Sequence, residues 1–302
     1  MKRLAWVGVP LLVIAGLVTF WEPAKLFALT VTGRASVCPL NNALESQENE
    51  RAQLQIKDDI LFASKRLAVE GGFIHWTTPD GQYWVPEGSP YVVHFNLAEQ
   101  KRKIYGTGSH FIQQGDIVFD CGANVGVFVR QALNAGASKV IAVEPGPENL
   151  TCLRRNFEKE IAAGTVIVVP KGVWNKVDVL EFHIDPENSA ADSFVIQSSD
   201  KGRTIQVPVT TVDSLVAELG LPKVDFIKMD IEGSEQRALA GAKETLAKYH
   251  PRMSISAYHE PDDPVRIPQI VQEAWTGYRM ECGPCEYVKQ DKSIRPDILW
   301  FH

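Results

Sequence analysis

Residues 119–128 read "FDCGANVGVF". An apolar run, "DIVFD", ends on Asp120; Gly122 and Gly126 follow, and "VGVFVRQALNAG" then takes a helical pattern with a glycine stop. A strand that ends in a turn and opens a helix is the first unit of an alternating β/α chain. The alternation continues to the C-terminus. "KVIAVEP", "TVIVVP", "KVDFIKMDIEG", "RMSISAYHE" and "RPDILWFH" read as strands. "PENLTCLRRNFEKEIAAG", "SEQRALAGAKETLAKY" and "PQIVQEAWTG" read as helices, and "DVLEFHI" and "TIQVPVTTVDSLVAELG" add further strand and helix between them. Apolar strands alternating with helices predict a mostly parallel sheet covered on both faces, a three-layer α/β fold. Ligands of such sheets sit at the carboxyl ends of the strands. The chemistry is therefore expected just after Asp120, Glu144, Asp230 and His259.

The loop after the first strand narrows the cofactor. A dinucleotide fingerprint is G-x-G-x-x-G, whose central glycine lets the backbone touch a pyrophosphate. Here the position two after Gly122 is Asn124, the spacing is G-x-x-x-G to Gly126, and Asp120 precedes it. A carboxylate repels pyrophosphate and attracts an ammonium group, so the loop matches S-adenosyl-L-methionine, which has an amino-acid head and no phosphate. Glu144, 24 residues after Asp120 at the end of the second strand, suits an acid that accepts hydrogen bonds from ribose hydroxyls, although nicotinamide enzymes use an acid there too. The bland alternatives are a plain turn with Asp120 as a helix cap, and a surface carboxylate at Glu144.

"DFIKMDIEGSE" and "SAYHEPDD" hold the remaining candidates. Asp230 and Glu232 end the fourth strand. Lys228 shares a face with Asp230, and a buried lysine needs a carboxylate, Asp120 or Asp230. His259 ends the fifth strand. It is the candidate base for removing a hydroxyl proton, with Glu232 or Asp230 orienting it. Asp262 and Asp263 read as turn residues rather than metal ligands, and His110 and His183 fall near loops. No metal is expected.

Composition sets the outer limits. Hydrophobic residues make up 45% and charged residues 23% of 302, an ordinary globular balance. The net charge of −6, without a basic run, argues against a nucleic-acid partner. "MKRLAWVGVPLLVIAGLVTFW" carries no charge from Leu4 to Trp21. Its 17 apolar residues, Leu4 to Phe20, would span roughly 26 Å as a helix, near the lower limit for a bilayer core. It is read as an uncleaved single-pass anchor, with a cleaved signal peptide as the alternative. Lys2 and Arg3 favour an N-terminus inside, while the cofactor requires the catalytic domain on the cytoplasmic side; the cofactor is given precedence. The five cysteines show no framework spacing, and Cys282-Gly283-Pro284-Cys285 lies too late for a thioredoxin-like site. That motif reads as a turn near the sheet edge, with a metal pair or a disulfide left open.

Taken together, "VFDCGANVGVF", "VIAVEPGPENLTCLRRNF", "VPVTTVDSL", "VDFIKMDIEGSEQRALAGA" and "SAYHEPDD" resemble the FkbM-type S-adenosylmethionine-dependent methyltransferases, from about Gly115 to Pro261. The resemblance implies a class I Rossmann-like methyltransferase fold with strand order 3-2-1-4-5-7-6 and O-methylation of a glycan, glycolipid or other natural product. The expected organisation is an anchor at 1–22, a linker at 23–48, a helix and small hairpin lobe at 49–112, and the methyltransferase domain at 113–302. Asp120, Gly122, Asn124, Gly126 and Glu144 are expected to hold the cofactor, and His259, Glu232 and Asp230 to serve the acceptor. The competing readings are a nicotinamide-dependent oxidoreductase and a non-catalytic tethered binding module.

Overall fold

The computed structural model describes residues 21–35, 37–197, 200–289 and 291–302. Two helices come first, α1 (Glu22–Val31) and α2 (Leu40–Ala63). The expected linker at 23–48 is thus largely helical. The buried residues of α2 are Ala43, Ser46, Gln53 and Ile60. They share one helical face, but a face of small and polar residues leaves no hydrophobic periodicity to read. Gln53 on that face donates to the Phe95 carbonyl at 3.1 Å and accepts from Arg102 at 3.0 Å.

The strands β1 (Lys65–Glu70), β2 (Phe73–Thr78) and β3 (Gly81–Pro86) form an antiparallel meander, followed by α3 (Val92–Arg102). Gly71 and Gly72 make the β1–β2 turn with φ of 59° and 82°. Ile60, Ile74, Tyr83, Val85 and Val93 of this lobe share a core with Val125, Val127 and Cys152 of the main domain, so the lobe is docked along one flank of the sheet.

The main domain begins with β4 (Ile117–Cys121), whose five residues are all buried, as expected of a strand covered on both faces. It continues through α4 (Val127–Asn134), β5 (Lys139–Val143), α5 (Pro147–Asn156), α6 (Glu158–Ala162) and β6 (Val166–Val169). Strands β7 (Gly172–Val173), β8 (Asp178–Ile184) and β9 (Arg203–Thr210) leave the main sheet and build a second one, in the order β7-β9-β8. Next come α7 (Val212–Glu218), β10 (Phe226–Met229), α8 (Glu235–Ala240), α9 (Lys243–Tyr249), β11 (Arg252–Ser256) and α10 (Asp263–Ala274). The chain closes with β12 (Met280–Cys282), the hairpin β13 (Cys285–Val288) and β14 (Ser293–Pro296), and β15 (Ile298–Phe301). The expected long helix over 234–249 is two helices. At the break, a Cβ on Gly241 would lie 2.2 Å from the Trp174 carbonyl oxygen.

The main sheet runs β12-β15-β11-β10-β4-β5-β6. Counting only its own strands along the chain, this is the order 3-2-1-4-5-7-6, with β15 antiparallel to both neighbours. Two cores lie on its faces, one around Phe119, Ile141, Ile227 and Ile255, the other around Val118, Phe128, Val140 and Phe226. The order reverses between β4 and β5 on one side and β10 and β11 on the other, and a crevice opens above that switch.

The expectation of an N-terminal anchor is corrected, and the cysteine motif, read as a turn with a disulfide left open, is bonded to a distant cysteine. Among the described residues no helix is long and apolar enough to cross a membrane. This removes support for a single-pass anchor and for placing the catalytic domain by it; the apolar run Leu4–Phe20 lies outside the described residues. The first described helix instead lies on the domain, with Leu26 buried in a cluster with Ala35, Ala43, Cys285 and Ile294. Cys38 and Cys285 form a disulfide across 247 residues, with the Cys282 thiol 3.6 Å from the Cys285 sulfur. Asn42 reinforces this contact by donating to the Gly283 carbonyl at 2.9 Å.

Candidate active site

A cavity of about 420 Å³ lies over the carboxyl ends of β4, β5 and β10. Its lining includes Gly122, Asn124, Glu144, Asp192, Asp230 and Glu232. Strand register explains the floor. In the parallel β4–β10 ladder Asp120 sits opposite Lys228, and the same register puts their side chains on one face. Lys228 Nζ is 3.3 Å from Asp120 Oδ1 and donates to the Gly122 carbonyl at 2.9 Å. Burial pushes the Asp120 carboxyl up to about 6, opposed by Lys228. Asp120 is completely buried and does not line the cavity, so the expectation that it touches the cofactor is corrected: it anchors Lys228, which does line the cavity.

The turn above is shaped by close approach. Gly122 has φ of 80°, and a Cβ there would lie 2.0 Å from the Asp230 carbonyl oxygen. Only glycine fits both demands. Gly126, with φ of 93°, also lies off the cavity; a Cβ there would meet Phe157 at 2.2 Å and Leu153 at 2.8 Å. Its place is in packing against α5 and Phe157, away from the cavity where it was expected to hold the cofactor. Asn124 takes the left-handed region with φ of 49°, where asparagine is better tolerated than most residues. Its N–H donates to Glu144 Oε2 at 2.8 Å, while the Gly146 N–H donates to Glu144 Oε1 at 2.7 Å. Glu144 is buried, and burial raises its carboxyl to about 7 against those bonds.

The opposite rim carries three carboxylates and one imidazole. Asp230 Oδ2 accepts from the Tyr105 hydroxyl at 2.7 Å. Glu235, wholly buried at the start of α8, accepts from the N–H groups of Ile231 at 2.8 Å and Gly233 at 3.1 Å. This pins the Asp230–Glu235 loop, in which Glu232 takes φ of 50°. His259 Nδ1 lies 3.0 Å from Glu235 Oε1; its Nε2 is 3.4 Å from Glu232 Oε1 and 3.7 Å from Asp230 Oδ1. Burial alone would lower His259, but Glu235 and Glu232 outweigh it and raise it well above the usual histidine range. Burial raises Glu232, with His259 opposing. Burial would raise Asp230 as well, but Lys228 and His259 hold it below the usual carboxylate range.

The structure therefore brings Asp230, Glu232 and His259 together but alters the part expected of His259. Its side chain is 3% exposed, it lies behind the two carboxylates rather than on the cavity wall, and its neighbours keep it protonated. A protonated ring cannot accept the acceptor's proton. Three contributors were not expected from sequence. Glu235 stands in "DIEGSE" and was legible as a third acid of that motif. Tyr105 comes from the end of the lobe. Asp192 sits in the irregular "DPENSAADSF" between β8 and β9, with no pattern to flag it; burial raises it to about 8.

Residues 120–280, more than half the chain, match the family model of the methyltransferase FkbM domain. The chain belongs to the FkbM methyltransferase family. Similar relatives include the 31-O-demethyl-FK506 methyltransferase FkbM of Streptomyces tacrolimicus, 28% identical over 53% of this chain and 75% of that protein. The hexuronic acid methyltransferase AglP of Haloferax volcanii is 27% identical over 54% of this chain and 64% of that protein. Among solved structures, an FkbM methyltransferase from Methylobacillus flagellatus is 19% identical, with a TM-score of 0.46 over 84% of this chain and 59% of that one. This FkbM family member is thus a methyltransferase with an α/β fold, and its crevice is where the family match begins, at Asp120.

Proposed function

We propose that this FkbM family member transfers a methyl group from S-adenosyl-L-methionine to a hydroxyl of a glycan or similar polyhydroxylated natural product. The observation that carries the cofactor is the fate of the loop amides. A dinucleotide needs free N–H groups at the first turn, and here the Gly122 and Ala123 N–H groups donate to the Val143 carbonyl and the Asn124 N–H to Glu144. The cavity they border is lined by Glu144, Asp192, Asp230 and Glu232, a surplus of acid that favours a cationic, phosphate-free ligand. The residues present fit such a group: the Gly122–Asn124 backbone and Glu144 would hold it. When bound it supplies an electrophilic methyl on a sulfonium.

The chain's own work is positioning and proton handling. Lys228 and Asp120 hold the first turn against β10. Asp230 and Glu232 form the acceptor side, and Glu232, whose carboxylate burial makes more basic than usual and which lines the cavity, is the group to take the acceptor's proton. His259 orients the two carboxylates from behind. For the acceptor, support comes from the relatives' names, which specify an oxygen position in one and a hexuronic acid in the other. Calorimetry of the full chain with S-adenosylhomocysteine and with NAD tests the cofactor. Homocysteine-adduct binding in the range of about 1–100 μM, weakened in Glu144→Ala, is expected; binding of NAD alone would sink the reading.

A further inference from the structure

Three side chains at the β10–β11 rim of the cavity converge without satisfying one another. Ligand atoms of Asp230, Glu232 and His259 lie within 4.8 Å of one another. Asp230 has given Oδ2 to the Tyr105 hydroxyl, and its buried Oδ1 has no hydrogen bond. His259 has given Nδ1 to Glu235, and its Nε2, on a side chain 3% exposed, also has none. The backbone of Glu232 is held left-handed, an uncommon conformation for glutamate, and one that points Oε1 to 3.4 Å from Nε2. Behind the ring, Glu235 fixes the tautomer that leaves Nε2 facing the two carboxylates, an arrangement typical of metal-bound histidines. Buried charges are normally paired or bound to a metal; here three carboxylates meet one imidazole.

Resting on the methyltransferase reading above, we propose that Asp230 Oδ1, Glu232 Oε1 and His259 Nε2 bind a hard divalent cation of the Mg²⁺ or Mn²⁺ class, which holds the acceptor's oxygens at the β10–β11 rim of the cavity. Two carboxylate oxygens and one imidazole suit such an ion, which prefers oxygen donors and about six ligands. Three protein ligands leave positions for water or for two neighbouring oxygens of a polyhydroxylated acceptor. The ion takes the place that a proton on Nε2 holds in its absence. An acceptor hydroxyl bound to it sheds its proton more readily, and the second carboxylate oxygen of Glu232 is there to take it.

The test is Mn²⁺ titration of the chelator-treated full chain, following free Mn²⁺ by electron paramagnetic resonance, with homocysteine-adduct binding measured in parallel. The expected result is one saturable ion per chain, displaced by Mg²⁺ and weakened roughly tenfold or more in both Asp230→Asn and Glu232→Gln. Glu281→Gln should change nothing; it alters a second, more exposed cluster of His110, Glu281 and His302. No uptake by the wild type at about 1 mM Mn²⁺, or uptake unchanged in both rim variants, overturns the cation site whatever the adduct does. Adduct binding without Mn²⁺ uptake therefore removes the ion and keeps the methyltransferase. Mn²⁺ held at the rim without adduct binding does the reverse.

Discussion

At the β4–β5 rim of the cavity each buried carboxylate has a counterpart of its own: Lys228 for Asp120, and the Asn124 and Gly146 N–H groups for Glu144. At the β10–β11 rim three carboxylates, Asp230, Glu232 and Glu235, crowd one imidazole. The first rim is balanced as it stands, which suits a preformed cofactor cradle. The second carries surplus negative charge and places a glutamate, where the first places an asparagine, in left-handed backbone, the marks of a rim shaped for something it must bind rather than for stability.

The sharpest way to break that contrast is to neutralise one aspartate at each rim. Asp120→Asn leaves the Lys228 ammonium buried beside a neutral amide, and stranding one partner of a buried pair costs about 3–5 kcal/mol. Asp230→Asn relieves the repulsion on Glu232 but gives up the attraction of Lys228 and His259, so the two effects offset each other, and it keeps an oxygen for the Tyr105 hydroxyl. In cation-free buffer it should alter stability by less than about 1 kcal/mol. Urea denaturation of both variants decides it: equal losses would mean the two rims are not differently balanced.

Backbone strain gives a second, smaller contrast. Asn124 and Glu232 have nearly the same dihedral, φ of 49° and 50°, but asparagine accepts the left-handed region and glutamate pays about 1–2 kcal/mol for it. Glu232→Gly should therefore stabilise the fold by about 0.5–1 kcal/mol after glycine's own entropy cost while removing the carboxylate. Asn124→Gly should gain nothing, since it also loses the 2.8 Å bond from the Val125 N–H to its side chain. Thermal midpoints that fall in both variants would show that Glu232 stores no strain.

The two rims also differ in how much of them the sequence reveals. The sheet order followed from the family resemblance, whereas the positions of Asp120, Gly122, Glu144, Asp230 and His259 were legible because apolar strands end on turn residues, and the switch point puts those ends together. Burial was not legible. Nothing in "FDCGANVGVF" says that Asp120 lies beneath the cavity while Asn124 lines it, or that Gly126 serves Phe157. Nor could spacing reveal that His259 is enclosed by acids, because Glu235 reaches it only after the loop turns back at Gly233. The N-terminal arm was the least legible. The buried face of α2 has no apolar stripe, and Cys38 meets Cys285 across a separation that local pattern cannot bridge.

Asp192 is the exception at the balanced rim, and it offers the finest test. Its Oδ1 accepts one backbone bond, from the Asp185 N–H at 2.7 Å, yet burial first, with Glu144 and Glu148 adding to it, raises its carboxyl to about 8. A carboxyl with a higher pKa in the folded than in the unfolded chain holds its proton more tightly when folded. Its contribution to stability therefore falls as pH rises from about 4 to about 8. Asp192→Asn keeps an oxygen for the Asp185 N–H and removes the charge. The variant should match the wild type near pH 4 and exceed it by about 1–2 kcal/mol near pH 8, read from denaturation midpoints across that range. A gain independent of pH would mean that Asp192 ionises freely in the fold, and that the wall nearest Glu144 is as well balanced as the rest of its rim.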